Sequence, residues 1–274
     1  MPELPEVETI RRGLEPRLVG RAITGVRVRQ PQLRHVVDTR ALQREAIDRA
    51  ITAVDRRAKY LLIRLHPDRV LIIHLGMTGR LSVGPPVRED APHDHLIFDL
   101  GGDLELRYND ARRFGMCLMT TDAQLSVHPR MQHLGPEPLS SMFTAAYLRG
   151  RARDSRRPIK NFLMDATVVV GIGNIYASEC LYLARIRPTR EVSRLRPMHW
   201  TRVCDAVREV LQTAIDHRGT TFSNYVDSEG RKGDFQNQLF VYGRDGEVCT
   251  QDRRRIVRIV QAGRSSYYCP GCQR

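Results

Sequence analysis

Pro2, Glu3 and Glu6 stand within one helical turn of each other in the opening Met1-Pro2-Glu3-Leu4-Pro5-Glu6-Val7-Glu8-Thr9. Removal of an initiator methionine is routine before a small residue, and it leaves the secondary amine of Pro2 as the terminus. An α-amino group titrates at about 8, so a usable fraction is neutral and nucleophilic at pH 7. Amines attack carbonyl carbons to form Schiff bases. A secondary amine gives a permanently charged iminium, which is a strong electron sink. Glu3 and Glu6 are close enough in sequence to supply general acid chemistry. The same residues also read as a plain helix start, with Pro5 in the first turn and Glu6 and Glu8 at the positive end of the dipole. That second reading explains Pro5 onward and gives no reason for Pro2-Glu3.

Further groups with chemical potential lie downstream. Lys59, in Arg56-Arg57-Ala58-Lys59-Tyr60, directly precedes an apolar strand. Basic neighbours that lower its pKa would make it a proton carrier; otherwise it is a surface lysine. Met77 in His74-Leu75-Gly76-Met77-Thr78-Gly79 and Phe114 in Arg112-Arg113-Phe114-Gly115 read as bulky apolar side chains on strand-end turns. Such side chains wedge between base steps of kinked DNA and fill the void left by a flipped base, or else they belong to the core. Gly171 and Gly173 precede Asn174-Ile175-Tyr176, where a new helix would present N–H groups to a phosphate, or simply turn the chain.

Near the C-terminus, Cys269-Pro270-Gly271-Cys272 has the spacing of a zinc knuckle, and Cys249-Thr250-Gln251-Asp252 supplies a second one with Asp at the fourth position. Zinc accepts carboxylate oxygen as well as thiolate, so a Cys3Asp site stands beside the alternative of a metal-free hairpin. Between the knuckles runs Arg253-Arg254-Arg255-Ile256-Val257-Arg258, then Ile259 to Arg264, a basic hairpin suited to phosphate contact.

The elements that must position these groups follow from periodicity. Val7, Ile10, Leu14 and Leu18 recur at helical spacing and stop at Gly20, predicting a helix over 5–19. Segments 23–29, 61–65, 70–75, 95–100 and 103–108 are short and β-rich, separated by Gly, Pro or Asp, and suggest a sandwich or flattened barrel. Residues 122–150 carry Pro129, Gly135, Pro136 and Pro138 and read as linking chain. Helical periodicity then dominates, clearest over 205–215, and a polar, glycine-bearing loop spans 219–236. The expected class is α+β, divided into 1–130, a linker 131–150, a helical part 151–236 and a hairpin 237–274.

Composition limits the partner. The 274 residues include 44 Lys and Arg against 31 Asp and Glu, a net charge of +13, and the pI is near 10.0. That balance points to a polyanion, nucleic acid before membrane. The apolar runs are too short to span a bilayer and the first dozen residues are too charged for a signal peptide, so a soluble intracellular protein is expected. Cys117, Cys180 and Cys204 lie in apolar segments and read as buried hydrophobes.

Taken together, Met1–Thr9, Arg57–Tyr60, His74–Gly79, Tyr108–Gly115, Leu134–Leu139, Gly171–Glu179, Phe235–Arg244 and Gly263–Arg274 make the whole chain resemble the formamidopyrimidine-DNA glycosylase family of bifunctional DNA glycosylase/AP lyases. Leu4 and Arg112-Arg113-Phe114 look like the oxidised-purine branch; the endonuclease VIII branch has Gly in place of Leu4. The resemblance implies an N-terminal β-sandwich with a leading helix, a helix-two-turn-helix module and a C-terminal zinc-finger-like β-hairpin, with damaged double-stranded DNA across the cleft. It implies Pro2 as Schiff-base nucleophile, Glu3 as the acid at the sugar ring oxygen with Glu6 assisting, Lys59 in β-elimination and Arg264 at the target phosphate and in δ-elimination. Met77, Arg112 and Phe114 match the side chains that fill the void; His93, Lys160, Asn174 and Tyr242 match further DNA contacts. One structural Zn2+ is implied on Cys249, Asp252, Cys269 and Cys272, with Asp252 a departure from the family's cysteine. The 219–236 loop matches the segment that caps the extruded base. The expected protein is a monomeric, cytoplasmic, nucleoid-associated enzyme of bacterial type that excises 8-oxoguanine and formamidopyrimidines and nicks the abasic site by β,δ-elimination. The rivals are oxidised-pyrimidine excision on the same fold and damage binding without catalysis.

Overall fold

The structure is a computed structural model and describes residues 2–220 and 233–274. The chain divides into two compact units, 1–132 with 217–234 and 133–216 with 235–274.

The first unit opens with α1 (Leu4–Leu18), whose Val7, Ile10, Leu14 and Leu18 are all buried, as their spacing predicts. Two strands follow, β1 (Ala22–Ile23) and β2 (Gly25–Val28), then α2 (Thr39–Ala46), capped by the Asp38 side chain on the Ala41 N–H. Next come β3 (Arg49–Arg57), β4 (Tyr60–Leu65), β5 (Arg69–His74), β6 (Arg80–Gly84), β7 (Asp94–Asp99), β8 (Glu105–Asn109), β9 (Met116–Thr121) and the short α3 (Asp122–Leu125). They form a five-stranded sheet in the order β1-β3-β4-β5-β9 and a four-stranded sheet in the order β2-β7-β8-β6. Leu61, Ile63, Leu71 and Ile73 of the first sheet share one buried cluster with Leu81, Leu96, Phe98 and Leu106 of the second, so the unit is a sandwich.

The segment expected as a single strand over 23–29 is two strands. Ile23 pairs with Arg49 in one sheet and Gly25 with Asp99 in the other, so the chain changes sheets at Thr24. A single hydrophobic alternation cannot signal a change of partner. The strand β3 was hidden by the charges of its ends, Arg49 and Asp55-Arg56-Arg57, although Ile51 and Val54 point into the core.

The second unit holds α4 (Ala145–Arg151), α5 (Ile159–Leu163), α6 (Asn174–Leu183), α7 (Pro197–Asp216) and the hairpin β10 (Val257–Gln261) and β11 (Arg264–Tyr268). Trp200, Phe162, Tyr176 and Leu211 centre its core. Part of the stretch expected as linking chain contributes to this core: Phe143 and Leu148 are fully buried in it and Thr144 caps α4. Proline and glycine there mark turns between packed residues. The clear helical stretch over 205–215 proves to be the second half of α7, which starts at Pro197. The C-terminal hairpin has a small core of its own, with Tyr182, Val241, Cys249, Ile256 and Cys269. Cys117, Cys180 and Cys204 are buried, as expected. Among the described residues no helix is long and apolar enough to cross a membrane.

Candidate active site and metal centre

Glu3 is the N-cap of α1, and the pair Glu3 and Glu6 forms a capping box, with the Glu3 N–H donating to Glu6 Oε2 at 2.8 Å. Both glutamates are buried, whereas Pro2 is partly exposed. The helix start and the proposed chemistry are therefore one arrangement: the cap that begins α1 presents Pro2 at the surface beside two carboxylates. Lys59 is half-buried in the two-residue turn joining β3 to β4, where Arg57 pairs with Tyr60 and Ala58 has φ of +55°. Burial first, and then the charge of Lys59, hold the His74 imidazole down at about 4.

Met77 and the Arg112-Arg113-Phe114 run lie on two turns tied to each other by Asp110, which is fully buried. Asp110 Oδ1 accepts from the Thr78 hydroxyl at 2.5 Å, and Oδ2 accepts from the Gly115 N–H at 2.8 Å and from the Tyr108 hydroxyl at 3.3 Å. The Arg112 N–H donates to Thr78 Oγ1 at 3.1 Å, and the Gly76 N–H donates to His74 Nδ1 at 3.0 Å. The turns touch backbone to backbone: a Cβ on Gly76, at φ +60°, would lie 2.5 Å from the Gly115 nitrogen. Met77, Arg112 and Phe114 are thus held out together, exposed, with the Arg112 guanidinium 4.5 Å from the Phe114 ring centroid. They border a recess of about 680 Å³ that Arg34 and Arg113 also line. His93, exposed and at φ +70°, sits beside this assembly; its carbonyl accepts the Asp110 N–H at 3.1 Å.

In the second unit, Lys160, Asn174 and Tyr242 converge on the C-terminal hairpin. Lys160 is buried, and its ammonium donates to Asn174 Oδ1 at 2.6 Å, Ser266 Oγ at 2.7 Å and the Ser265 carbonyl at 2.8 Å. Asn174 opens α6 and donates to the Ser265 carbonyl at 3.0 Å, while Tyr242 stacks edge-on against Tyr267 at 4.9 Å. Arg264 is exposed at the start of β11, after a two-residue turn in which Ala262 and Gly263 both have positive φ, as a type I′ hairpin requires.

Cys249, Asp252, Cys269 and Cys272 bring their ligand atoms within 4.8 Å of one another. Cys249 Sγ lies 3.8 Å from Cys272 Sγ and Cys269 Sγ lies 3.1 Å from Asp252 Oδ1. A tetrahedron with Zn–S bonds of about 2.3 Å has edges of about 3.8 Å. Asp252 Oδ2 is buried with no hydrogen-bond partner among the described residues, an orphan that a cation would satisfy. The four residues fit one structural zinc, which would crosslink the two ends of the hairpin module.

The match to known proteins runs the length of the chain. Residues 1–117 match the formamidopyrimidine-DNA glycosylase N-terminal domain, 134–226 the helix-two-turn-helix domain of that enzyme, and 246–274 a zinc finger found in it and in isoleucyl-tRNA synthetase. The formamidopyrimidine-DNA glycosylase of Hahella chejuensis is 46% identical over 274 residues, covering 100% of both chains, and that of Xanthomonas axonopodis pv. citri is 44% identical with the same coverage. The chain belongs to the formamidopyrimidine-DNA glycosylase family. It is accordingly a bifunctional DNA glycosylase/AP lyase of base excision repair. Two Lactococcus lactis structures of this family, one in complex with Fapy-dG-containing DNA and one with abasic-site DNA, superpose with TM-scores of 0.91 and 0.92 at 36% identity, each covering 99% of both chains.

Sequence reasoning did not single out the residues that hold the family's motifs in place. Asp110, Thr78 and Tyr108 bind the two exposed turns, and only the hydroxyl and carboxylate beside the glycines hinted at it. Glu179, fully buried, accepts the N–H groups of Phe240, Val241 and Tyr242 at 2.7, 3.0 and 2.8 Å. A lone glutamate in an apolar helix is the signal that was available, since a buried carboxylate needs donors. Of the 219–236 loop, residues 221–232 lie outside the described residues.

Proposed function

We propose that this enzyme excises oxidised purines, 8-oxoguanine and formamidopyrimidines, from double-stranded DNA and then cuts the abasic strand through a Schiff base on Pro2. The observation that carries the reading is the partly exposed Pro2 set directly on the Glu3 and Glu6 cap of α1. The Lactococcus lactis relative in complex with Fapy-dG-containing DNA supports the substrate class.

In this reading the processed Pro2 nitrogen attacks C1′ of the damaged nucleotide and the bond from C1′ to the base breaks. Glu3 gives a proton to the sugar ring oxygen, the ring opens, and an iminium joins Pro2 to C1′. That cation acidifies the C2′ protons, so loss of one breaks the C3′–O bond; Lys59 moves the proton in this β-elimination. Loss of the 5′ phosphate follows by δ-elimination, with Arg264 at the phosphate. Met77, Arg112 and Phe114 enter the duplex where the base has left, which offsets an extrusion cost of a few kcal/mol. His93, Lys160, Asn174 and Tyr242 hold the DNA directly or by fixing the hairpin. The functional parts are the sandwich with its leading helix over 1–130, the helical module within 151–236 and the hairpin over 237–274. The chain acts as a monomer.

A panel of duplexes carrying one lesion each tests the substrate class. Faster single-turnover excision of 8-oxoguanine and Fapy-guanine than of oxidised pyrimidines is expected. The reverse order would contradict the proposal.

A further inference from the structure

One carboxylate joins two segments 214 positions apart. Glu6, buried at the third position of α1, accepts the Glu3 N–H on Oε2 at 2.8 Å. On Oε1 it accepts the Thr220 N–H at 2.8 Å and the Thr220 hydroxyl at 3.1 Å. Thr220 is itself buried. Gly219 passes so close that a Cβ there would lie 2.6 Å from Glu6 Oε1 and 2.9 Å from its Cγ, and its φ of +77° already favours glycine. The backbone behind it is closed as well. The Asp234 N–H donates to the His217 carbonyl at 3.2 Å, and a Cβ on Gly233 would lie 2.6 Å from the Arg218 carbonyl oxygen.

These contacts assign a function to Glu6 different from that of its neighbour. A carboxylate oxygen accepts hydrogen bonds, and the three groups named here that meet the Glu6 oxygens are donors. One end of the side chain grips the residue that follows Pro2; the other grips the 219–220 backbone. We infer that Glu6 is a positioning residue that locks the Pro2-Glu3 turn to Gly219-Thr220, and that it is not a second general acid. The inference rests on the reading of Pro2 as nucleophile.

The consequence falls unequally on the two reactions. Attack on an intact nucleotide must displace a base and needs close alignment, where a 1 Å misplacement costs about a hundredfold. Condensation with the aldehyde of a ready-made abasic site starts from a better electrophile and tolerates more. Glu6→Gln puts an NH2 at one of the two grips, against an N–H. Gly219→Ala pushes on the same contact without altering a titratable group, and Thr220→Val removes only the hydroxyl.

The test compares excision of 8-oxoguanine with cleavage of a pre-formed abasic site, each across pH, in the full-length processed enzyme and these three variants, with folding checked by circular dichroism. Excision is expected to fall at least ten times further than abasic-site cleavage in Glu6→Gln and Gly219→Ala, and in the same direction but less in Thr220→Val. The shape of the pH profile of excision is expected to stay the same in all three. Equal loss of both activities in a folded variant, or a pH limb that disappears in Glu6→Gln alone, overturns the assignment. If a variant does not fold, Thr220→Val carries the comparison. Absence of a borohydride-trapped adduct on Pro2 in the parent enzyme would instead sink the nucleophile reading.

Discussion

At the scale of single residues, the first six positions combine two functions that are usually separate. A helix needs its first N–H groups satisfied, and Glu3 and Glu6 do that; in the proposed mechanism the same two carboxylates supply the acid and the fixed position that a nucleophilic amine needs. His74 shows how charge is managed nearby. Its ring accepts the Gly76 N–H and stacks tilted on Tyr60 at 5.0 Å, and burial with the neighbouring Lys59, Arg34 and Arg130 lowers its pKa from 6.5 to about 4. The unfolded chain therefore binds the proton first as pH drops. The stability that His74 contributes is whole above pH 6.5 and is lost as pH falls towards 4, a difference of about 3 kcal/mol. Urea unfolding at a series of pH values should show this slope in the parent protein and a flatter one in His74→Gln. An unchanged slope in the variant would assign the effect to other groups.

At the scale of elements, the sequence showed the motif-bearing turns well and their supports poorly. Helix α1 was legible because Val7, Ile10, Leu14 and Leu18 face one core. The sheet change at Thr24 was not, because partner choice leaves no trace in alternation. The stretch around Phe143 and Leu148 looks like linking chain in the sequence because its prolines outweigh two apolar residues whose burial depends on a helix far along the chain. Likewise the exposed Met77 and Phe114 were legible as types, whereas Asp110 beneath them looked like an ordinary turn acid. In the hairpin module, the departure at Asp252 is the informative one. Its orphaned Oδ2 and the 3.8 Å separation of Cys249 from Cys272 suit zinc, but one hard oxygen replaces a soft thiolate. Asp252→Cys is expected to hold zinc longer against a chelator, and Asp252→Ala to release it sooner, read as metal content per protein after dialysis. Equal retention in all three proteins would remove Asp252 from the ligand set.

At the scale of the whole molecule, the +13 charge supplies attraction to any phosphate backbone, while the proposed mechanism confines the catalytic event to a few atoms at the N-terminus. Charge explains that the chain meets DNA and says nothing of which nucleotide it attacks. That distinction rests on the processed terminus, so the mature chain, with Met1 removed, is the species on which the account stands. The direct measurement is borohydride trapping of that species on an 8-oxoguanine duplex, followed by mass mapping of the adduct. A covalent DNA adduct on the Pro2 nitrogen, absent from Pro2→Gly and from protein that keeps Met1, is the result expected. No adduct from the processed enzyme while excision proceeds, or an adduct mapped to Lys59, would contradict it.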